Sequence, residues 1–236
     1  MFPLRDSVPS SRAPVVNVLL IVACGAVFLF ELSLGPYLER FMRVYAFVQA
    51  RFFHLLAVRG GVSLGLKSVL LSMFLHGGWL HLIGNMWFLW IFGDNVEDVL
   101  GHVPYLAFYL GCGATAAIGQ AIVAPSSSVP MVGASGAIAG VLGAYLVWFP
   151  WARVRTLLFL GFFFTVAELP APIFLIILFV VQFFSGTLAL AAAGPAAGGV
   201  AWFAHIGGFL TGALLALMLR RARRVRPRPR HAAFGE

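Results

Sequence analysis

The sequence predicts an all-α integral membrane protein, built as a bundle of six transmembrane helices with a long interfacial first loop. Of its 236 residues, 61% are apolar and only 10% are charged, and the mean hydropathy is +0.96. Soluble domains are about half apolar and a quarter charged, so lipid is the expected main solvent. Because a spanning helix needs about 20 mostly apolar residues, the length allows about six crossings and no separate soluble domain.

Hydropathy divides the chain into a cytoplasmic N-terminal segment (1–14), a membrane domain (15–219) and a basic cytoplasmic tail (220–236). The stretches predicted to cross the membrane are Val15–Leu34, Trp79–Phe92, Val103–Val123, Met131–Trp148, Ile173–Leu190 and Val200–Leu219. The first is of full spanning length rather than a short signal-peptide core, so it is interpreted as a retained span.

Two other segments have a different character. Residues 35–67 mix aromatic with basic side chains, which indicates amphipathic helices lying at the membrane interface. Thr156–Ala167 is apolar but too short to span as a helix, and is predicted to be interfacial or re-entrant. If it crossed the membrane, the last span would run in the opposite direction.

The distribution of basic residues sets the orientation. With six spans both termini share one side, and that side carries eleven of the sixteen Lys and Arg residues, seven of them between Arg220 and Arg230. The positive-inside rule therefore predicts that both termini are cytoplasmic. The tail fits anionic lipid headgroups, so membrane lipids rather than nucleic acid are its expected partners. Because no organelle-targeting extension precedes the first span, a bacterial inner membrane is the expected location.

Polar side chains in three predicted spans suggest chemistry. His81 and Asn85 share one face of the second span, Ser135 lies in the fourth and His205 in the sixth. These spans all run inward, and each polar residue lies within about two turns of its start, so the side chains should converge roughly 3 to 10 Å below the outer surface. Polar groups within a bilayer cost free energy and are functional candidates by default.

A structural alternative exists for the serine. A serine in a membrane helix commonly bonds to its own backbone or permits close helix packing. Glycines around it and after His205 fit such packing: Gly133, Gly136, Gly140, Gly143, Gly208 and Gly212. Glycine packing does not account for two histidines at matching depth with an asparagine, which favours nucleophilic acyl transfer.

The same residues bear on a metal site and on a catalytic acid. His76, His81 and His205 could suggest zinc, but no HExxH motif or accompanying carboxylate is present, so no metal or other cofactor is expected. Glu31 is predicted to lie away from the histidine motifs. The other candidate acids fall on the predicted cytoplasmic side: Asp94, Glu97, Asp98 and Glu168. A Ser–His dyad is therefore the simpler prediction than a triad.

Three runs of the sequence together resemble the motifs of rhomboid intramembrane serine proteases: SMFLHGGWLHLIGN (72–85), GASGAIAG (133–140) and AHIGGFLTG (204–212). The resemblance covers about residues 68–219. It implies that Ser135 is the nucleophile and His205 its general base, with His81 and Asn85 lining the oxyanion hole beside the Ser135 N–H. It also implies cleavage of transmembrane segments of single-pass proteins, which would enter between the second and fifth spans beneath a loop at 191–199.

Two positions depart from the pattern of many relatives. Lys67 and Ser68 replace a tryptophan–arginine pair of the first loop, so a first-loop anchor is expected to differ. Ala139 replaces an aromatic residue that packs on the catalytic histidine in some relatives, so another side chain is expected to hold the imidazole of His205. The competing functions are a non-catalytic rhomboid-like protein that binds membrane proteins, and a transporter with a histidine proton relay. The sequence leaves the oligomeric state open.

Overall fold

The structure, a computed structural model, describes residues 1–161, 163–193 and 202–222. These residues form mainly helices, together with one small sheet. In chain order the elements are β1 (Phe2–Asp6), α1 (Val15–Ser33), a 3₁₀ turn (Gly35–Tyr37), α2 (Leu38–Tyr45), α3 (Gln49–Ala57), α4 (Gly61–Ser72), α5 (Trp79–Leu100), α6 (His102–Val123), α7 (Ser135–Trp148), β2 (Arg153–Leu160), β3 (Phe163–Pro170), α8 (Ala171–Ala193) and α9 (Trp202–Ala222).

Glycines let α7 and α9 pack backbone against backbone. A Cβ added to Gly208 would lie 2.0 Å from the carbonyl oxygen of Gly136, and one added to Gly212 would lie 2.0 Å from that of Gly140. The two contacts share the same sequence offset, so the helices run parallel. Small residues at such interfaces allow the close approach that membrane helices use in place of a hydrophobic driving force.

Helix α5 runs in the same direction as α7. Near their starts, His81 packs on the backbone of Gly133, and further along the rings of Phe92 and Tyr145 meet edge-to-face with centroids 5.0 Å apart. The helices α5, α7 and α9 are therefore parallel to one another, as the sequence predicts for the three spans with polar residues.

Helices α1 and α6 run against this trio. The Oε1 atom of Gln120, near the end of α6, accepts the N–H of Ala204 near the start of α9 at 3.2 Å. The N–H groups of Val16 and Asn17, at the start of α1, donate to the carboxylate of Glu97 near the end of α5, at 2.9 and 2.7 Å. Helix α6 is therefore antiparallel to α9, and α1 is antiparallel to α5.

The core lies between α5, α6 and α7, and Asn17 of α1 joins it through two buried hydrogen bonds, whereas the buried Tyr109 hydroxyl has no partner among the described residues. Phe92, Tyr105 and Tyr145 are fully buried. The buried amide of Asn17 donates to the carbonyl of Leu89 at 2.9 Å and accepts the Tyr105 hydroxyl at 2.8 Å. Such internal satisfaction is required where no water can substitute.

The sequence prediction of an all-α fold is wrong for the segment after α7. Strands β2 and β3 form an antiparallel hairpin, and β2 also pairs with β1, which gives the sheet order β1-β2-β3. Val, Thr, Leu and Phe dominate this stretch and suit strands, and its uncharged part, 156–167, is too short for a spanning helix. Gly161, with φ +65°, lies in the connection between β2 and β3. The hairpin returns to the side where α7 ends, so Thr156–Ala167 does not reverse the direction of the helices that follow.

The helices coincide with the predicted spans, with shifted ends. α5 continues past Phe92 to Leu100, and α7 begins at Ser135 rather than Met131. Residues 35–67 contain short helices, as expected. Among the described residues, three helices are long and apolar enough to cross a membrane: Val15–Ser33, His102–Val123 and Trp202–Arg220. The six-span bundle stays a prediction.

Candidate active site

The structure brings Ser135 and His205 into hydrogen-bond contact. Ser135 is the first residue of α7 and His205 lies in the first turn of α9. Because those helices pack in parallel through their glycines, their first turns lie at one level, and His205 Nε2 is 2.8 Å from Ser135 Oγ. This is within the distance required between a nucleophile and its general base.

His81 and Asn85 of α5 pack against Gly133, in the loop just before Ser135. Gly133, with φ +115°, packs so tightly that an added Cβ would be 2.6 Å from His81 Nε2 and 3.4 Å from Asn85 Nδ2. The N–H of Gly133 donates to Ser72 O at 2.8 Å, which fixes this loop. Only glycine fits here, because both the backbone conformation and the neighbouring side chains exclude a Cβ.

Both side chains offer donors toward this region. His81 Nδ1 accepts the N–H of Gly77 at 3.4 Å, which leaves the ring proton on Nε2, the atom that faces Gly133. Asn85 Nδ2 is buried, and no described residue accepts its protons. A buried donor without an acceptor costs free energy, so its retention favours a ligand oxygen at that position.

A cavity of about 830 Å³ is lined by all four predicted site residues. Leu178 and Val181 of α8 line another part of it, so the cavity reaches from the serine to α8. Among the described residues, no group of three His, Cys, Asp or Glu side chains could hold a metal ion.

Comparison with known proteins decides the family. The family model for the rhomboid domain matches residues 63–222, well over half of the chain. The chain belongs to the rhomboid family. The match includes α5 to α9 and therefore every residue of the candidate site.

The names of similar curated proteins differ in whether they describe a protease. Rhomboid protease GluP of Bacillus subtilis (strain 168) is 34% identical over 124 residues, which cover 45% of this chain and 24% of that protein. The chloroplastic rhomboid-like protein 11 of Arabidopsis thaliana is 34% identical over 121 residues, 47% of this chain and 42% of the relative. The mitochondrial presenilin-associated rhomboid-like protein of Bos taurus is 34% identical over 101 residues, 42% and 27% respectively. The chain thus spans less than half the length of these relatives, and only one of the three is named as a protease.

Trp202 and Gln120 support the histidine of this rhomboid, and sequence reasoning gave neither a role at the site. The Trp202 and His205 rings meet edge-to-face, with centroids 5.8 Å apart. Gln120 accepts the N–H of Ala204, the residue before the histidine. Trp202 is therefore a candidate for the side chain expected to hold the imidazole of His205 in place of the aromatic residue that Ala139 replaces. The position of Trp202 one turn before His205 was a usable signal in the sequence.

No described residue bonds the other imidazole nitrogen, since His205 Nδ1 is buried without a hydrogen-bond partner. The prediction that Glu31 lies away from the histidine motifs is wrong, because its carboxylate accepts the backbone N–H of His76 at 3.3 and 3.4 Å. The end of α1 packs against the turn before α5, which sequence spacing does not reveal. Glu31 thereby supports the loop that carries His76, while His205 has no acid partner among the described residues.

The first loop is anchored by backbone pairing in this rhomboid. Phe47 N–H donates to Met131 O at 3.1 Å, and Met131 N–H donates to Phe47 O at 2.7 Å. This bridge ties the first loop to the segment just before Ser135. Ser68, at one position of the altered pair, is buried and bonds Gly65 O at 2.8 Å. Of the predicted substrate-gating loop at 191–199, residues 191–193 belong to α8 and the others lie outside the described residues.

Proposed function

We propose that this rhomboid is an intramembrane serine endopeptidase that cleaves transmembrane segments of single-pass membrane proteins through a Ser–His dyad. The observation that carries the proposal is the 2.8 Å contact between His205 Nε2 and Ser135 Oγ at the wall of a cavity between apolar helices. A serine that served helix packing alone would have no need of an imidazole at this distance.

The dyad performs acyl transfer in two steps. His205 Nε2 takes the Ser135 Oγ proton while Oγ attacks the substrate carbonyl, and the imidazolium then protonates the leaving amine as the peptide bond breaks. A water molecule, deprotonated by the same nitrogen, then attacks the acyl-enzyme. The imidazolium returns the proton to Ser135 Oγ as the ester bond breaks. Asn85 Nδ2, His81 Nε2 and the Ser135 N–H are the proposed donors to the oxyanion.

The substrate is proposed to enter between α5 and α8. These helices touch through Phe88, Phe92 and Phe174, whose rings stack with centroids 6.2 to 6.5 Å apart. Further along α8, Leu178 lines the catalytic cavity, so separation of α5 from α8 would open the cavity to lipid and to a substrate helix.

We propose further that the protein lies in a bacterial inner membrane with both termini in the cytoplasm. The pairing of β1 with β2 supports one part of this topology, because it requires the N-terminal segment and the connection after α7 to lie on the same side. That side carries Arg5, Arg12, Arg153 and Arg155, as the positive-inside rule requires of the cytoplasmic face.

Covalent labelling by a fluorophosphonate serine-hydrolase probe tests the nucleophile. The native chain in detergent or liposomes should be labelled and should cut a model single-pass substrate. Ser135→Ala and His205→Ala should each lose about 10⁴-fold or more of the cleavage rate. The matched control is Ser68→Ala, a buried serine bonded to its own helix, which should keep both activities. Undiminished cutting by Ser135→Ala rejects the nucleophile. An unlabelled native chain that still binds the substrate supports the non-catalytic alternative.

Asn85→Ala tests the oxyanion donors separately. We expect the cleavage rate to fall about 10²-fold to 10³-fold, as for other such donors, with the substrate KM little changed. The comparison is made between purified, folded variants with matched elution profiles. A fall in affinity at unchanged kcat would assign Asn85 to substrate binding instead.

A further inference from the structure

The hairpin tip exposes apolar side chains on both faces of the sheet. Phe163 and Phe164 are adjacent in β3 and therefore point to opposite faces, yet they are 79% and 75% exposed. Phe159 on β2 is 62% exposed. Nearer the base of the hairpin, one face of the sheet is buried, as the side chains of Val154 and Thr156 show. A protein partner commonly covers one face of a sheet, whereas both faces here need an apolar environment.

Charge divides the hairpin into a tip and a collar. No charged residue occurs from 156 to 167. Directly below, Arg155 lies opposite Arg5 on one side and Glu168 on the other, and Arg153 is exposed nearby, so the collar is basic. At about 3.3 Å per residue, Phe159 lies roughly 13 Å from Arg155 along the strand. An apolar tip about this far from a basic collar matches the depth of the boundary between headgroups and acyl chains.

The direction of the sheet fits entry into the bilayer. At the collar, Asp6 Oδ2 accepts a hydrogen bond from Asn95 Nδ2 at 3.0 Å, while at the other end of β1 the carbonyl of Pro3 accepts one from Trp87 Nε1–H at 2.6 Å. The sheet therefore runs from the end of α5 that carries Asn95 toward the middle of that helix. The tip lies beyond this contact, because β1 pairs only as far as Leu157.

We propose that the tip of the hairpin, residues 156–161 and 163–167, inserts as a wedge into the leaflet on the N-terminal side of the membrane, with Phe159, Phe163 and Phe164 among the acyl chains and the arginine collar among lipid phosphates. The outer edge of β3 has no strand partner among the described residues, and open sheet edges are not tolerated in the hydrocarbon centre. The wedge therefore stops at the boundary, where headgroups and water can bond the edge. It would hold the start of α8, which follows β3 directly at Ala171, at a fixed depth.

A fluorophore at the tip tests this placement in vesicles of phosphatidylethanolamine and phosphatidylglycerol. Native Cys24 and Cys112 are fully buried, so a cysteine introduced by Phe164→Cys takes the NBD label, and Arg153→Cys provides the matched collar position on the same sheet. We expect blue-shifted emission, quenching by lipid spin-labelled high on the acyl chain, and several-fold weaker iodide quenching at position 164 than at 153. Equal iodide quenching at the two positions overturns the wedge. Shielding from iodide without quenching by the lipid label means that protein covers the tip, and also overturns it.

A second measurement needs no substitution. The native chain is reconstituted with a phospholipid that carries a photoreactive diazirine in its acyl chain, irradiated and mapped by mass spectrometry. Adducts are expected in the peptide containing 156–167 as well as around Ile176 of α8, which is 61% exposed. Adducts around Ile176 but not in the hairpin contradict the proposal. Neither experiment depends on proteolysis, so the wedge and the proposed activity can fail separately.

Discussion

The parallel helices α5, α7 and α9 and the three-stranded sheet hold their positions by opposite means. Between α7 and α9 of the helix trio, glycines such as Gly140 and Gly212 bring the backbones into contact and leave no space for an added methyl group. In the sheet, only the base is buried, while the tip presents large aromatic side chains with few protein contacts. The trio fixes Ser135 and His205 to within hydrogen-bond distance. The sheet carries no site residue, and its requirements can be met by lipid.

The comparison indicates where the molecule can tolerate change. Sub-ångström precision at a dyad needs a rigid frame, because misplacement of reacting groups by about 1 Å can cost 10²-fold in rate. An apolar wedge in a fluid environment needs only composition and length. Substitutions in the trio should therefore act on fold and activity together, and those in the sheet should act mainly on depth and stability.

Among substitutions that test this comparison, Gly212→Ala in α9 has the largest expected effect. The new methyl group would lie 2.0 Å from the carbonyl oxygen of Gly140, so the two backbones must separate. We expect a loss of about 1–3 kcal/mol of stability and of most cleavage activity. Thermal unfolding in detergent and fluorophosphonate labelling measure the two effects.

Gly119→Ala in α6 is the matched control, since nothing lies within 4 Å of its added Cβ. Alanine is favoured over glycine within a helix by roughly 0.5–1 kcal/mol, so this variant should be at least as stable as the native chain. Equal loss in both variants would mean that close packing of α7 on α9 does not hold the site.

A smaller effect is expected from Trp202→Ala, which removes the ring that packs on the imidazole of His205. Looser orientation of the general base should lower kcat by about 10-fold to 100-fold, with KM little changed and the folded fraction retained. Trp202→Phe should restore most of the rate because a ring remains. Trp151→Ala, at an exposed tryptophan beyond the end of α7, serves as the control. A rise in KM at constant kcat would assign Trp202 to substrate contact.

The sequence predicted the helix trio well for a physical reason. Histidine, asparagine and serine are conspicuous in apolar spans, and helix periodicity converts their positions into depth and face. Ser135, His205, His81 and Asn85 could be brought together on that basis. Contacts between distant segments had no such local signal: Glu31 on the backbone of His76, and Gln120 on that of Ala204, depend on how helix ends meet.

The sequence did not predict the sheet because its apolar residues fit either a short helix or a hairpin. Thr156–Ala167 is apolar enough for lipid, and its length excludes a spanning helix but does not choose between a short helix and a hairpin. Strand-forming residues on both sides of Gly161 were the available signal. The pairing of β1 with β2 joins residues about 150 positions apart, as in Phe2 with Leu157, and no pattern within either segment specifies it.

Asp6 is where the two regions join, and it gives the smallest predicted effect. Its carboxylate accepts from Tyr145 of α7 at 2.6 Å and from Asn95 of α5 at 3.0 Å. The pKa of Asp6 is raised from 3.8 to about 7, mainly by burial; the Tyr145 hydrogen bond opposes the rise and the nearby Asp94 carboxylate adds to it. Between about pH 4 and pH 7 the folded chain holds a proton that the unfolded chain has released, so this group's contribution to stability falls as pH increases through that range.

We expect the Tm in detergent to decrease less between pH 5 and pH 8 in Asp6→Asn than in the native chain. Glu168→Gln, at an exposed carboxyl on β3, should leave the native pH dependence unchanged. An identical pH dependence in the native chain and Asp6→Asn would show that the sheet meets the trio through a carboxyl already ionised at pH 5, and the junction would then be held by charge rather than by a buried, protonated hydrogen bond.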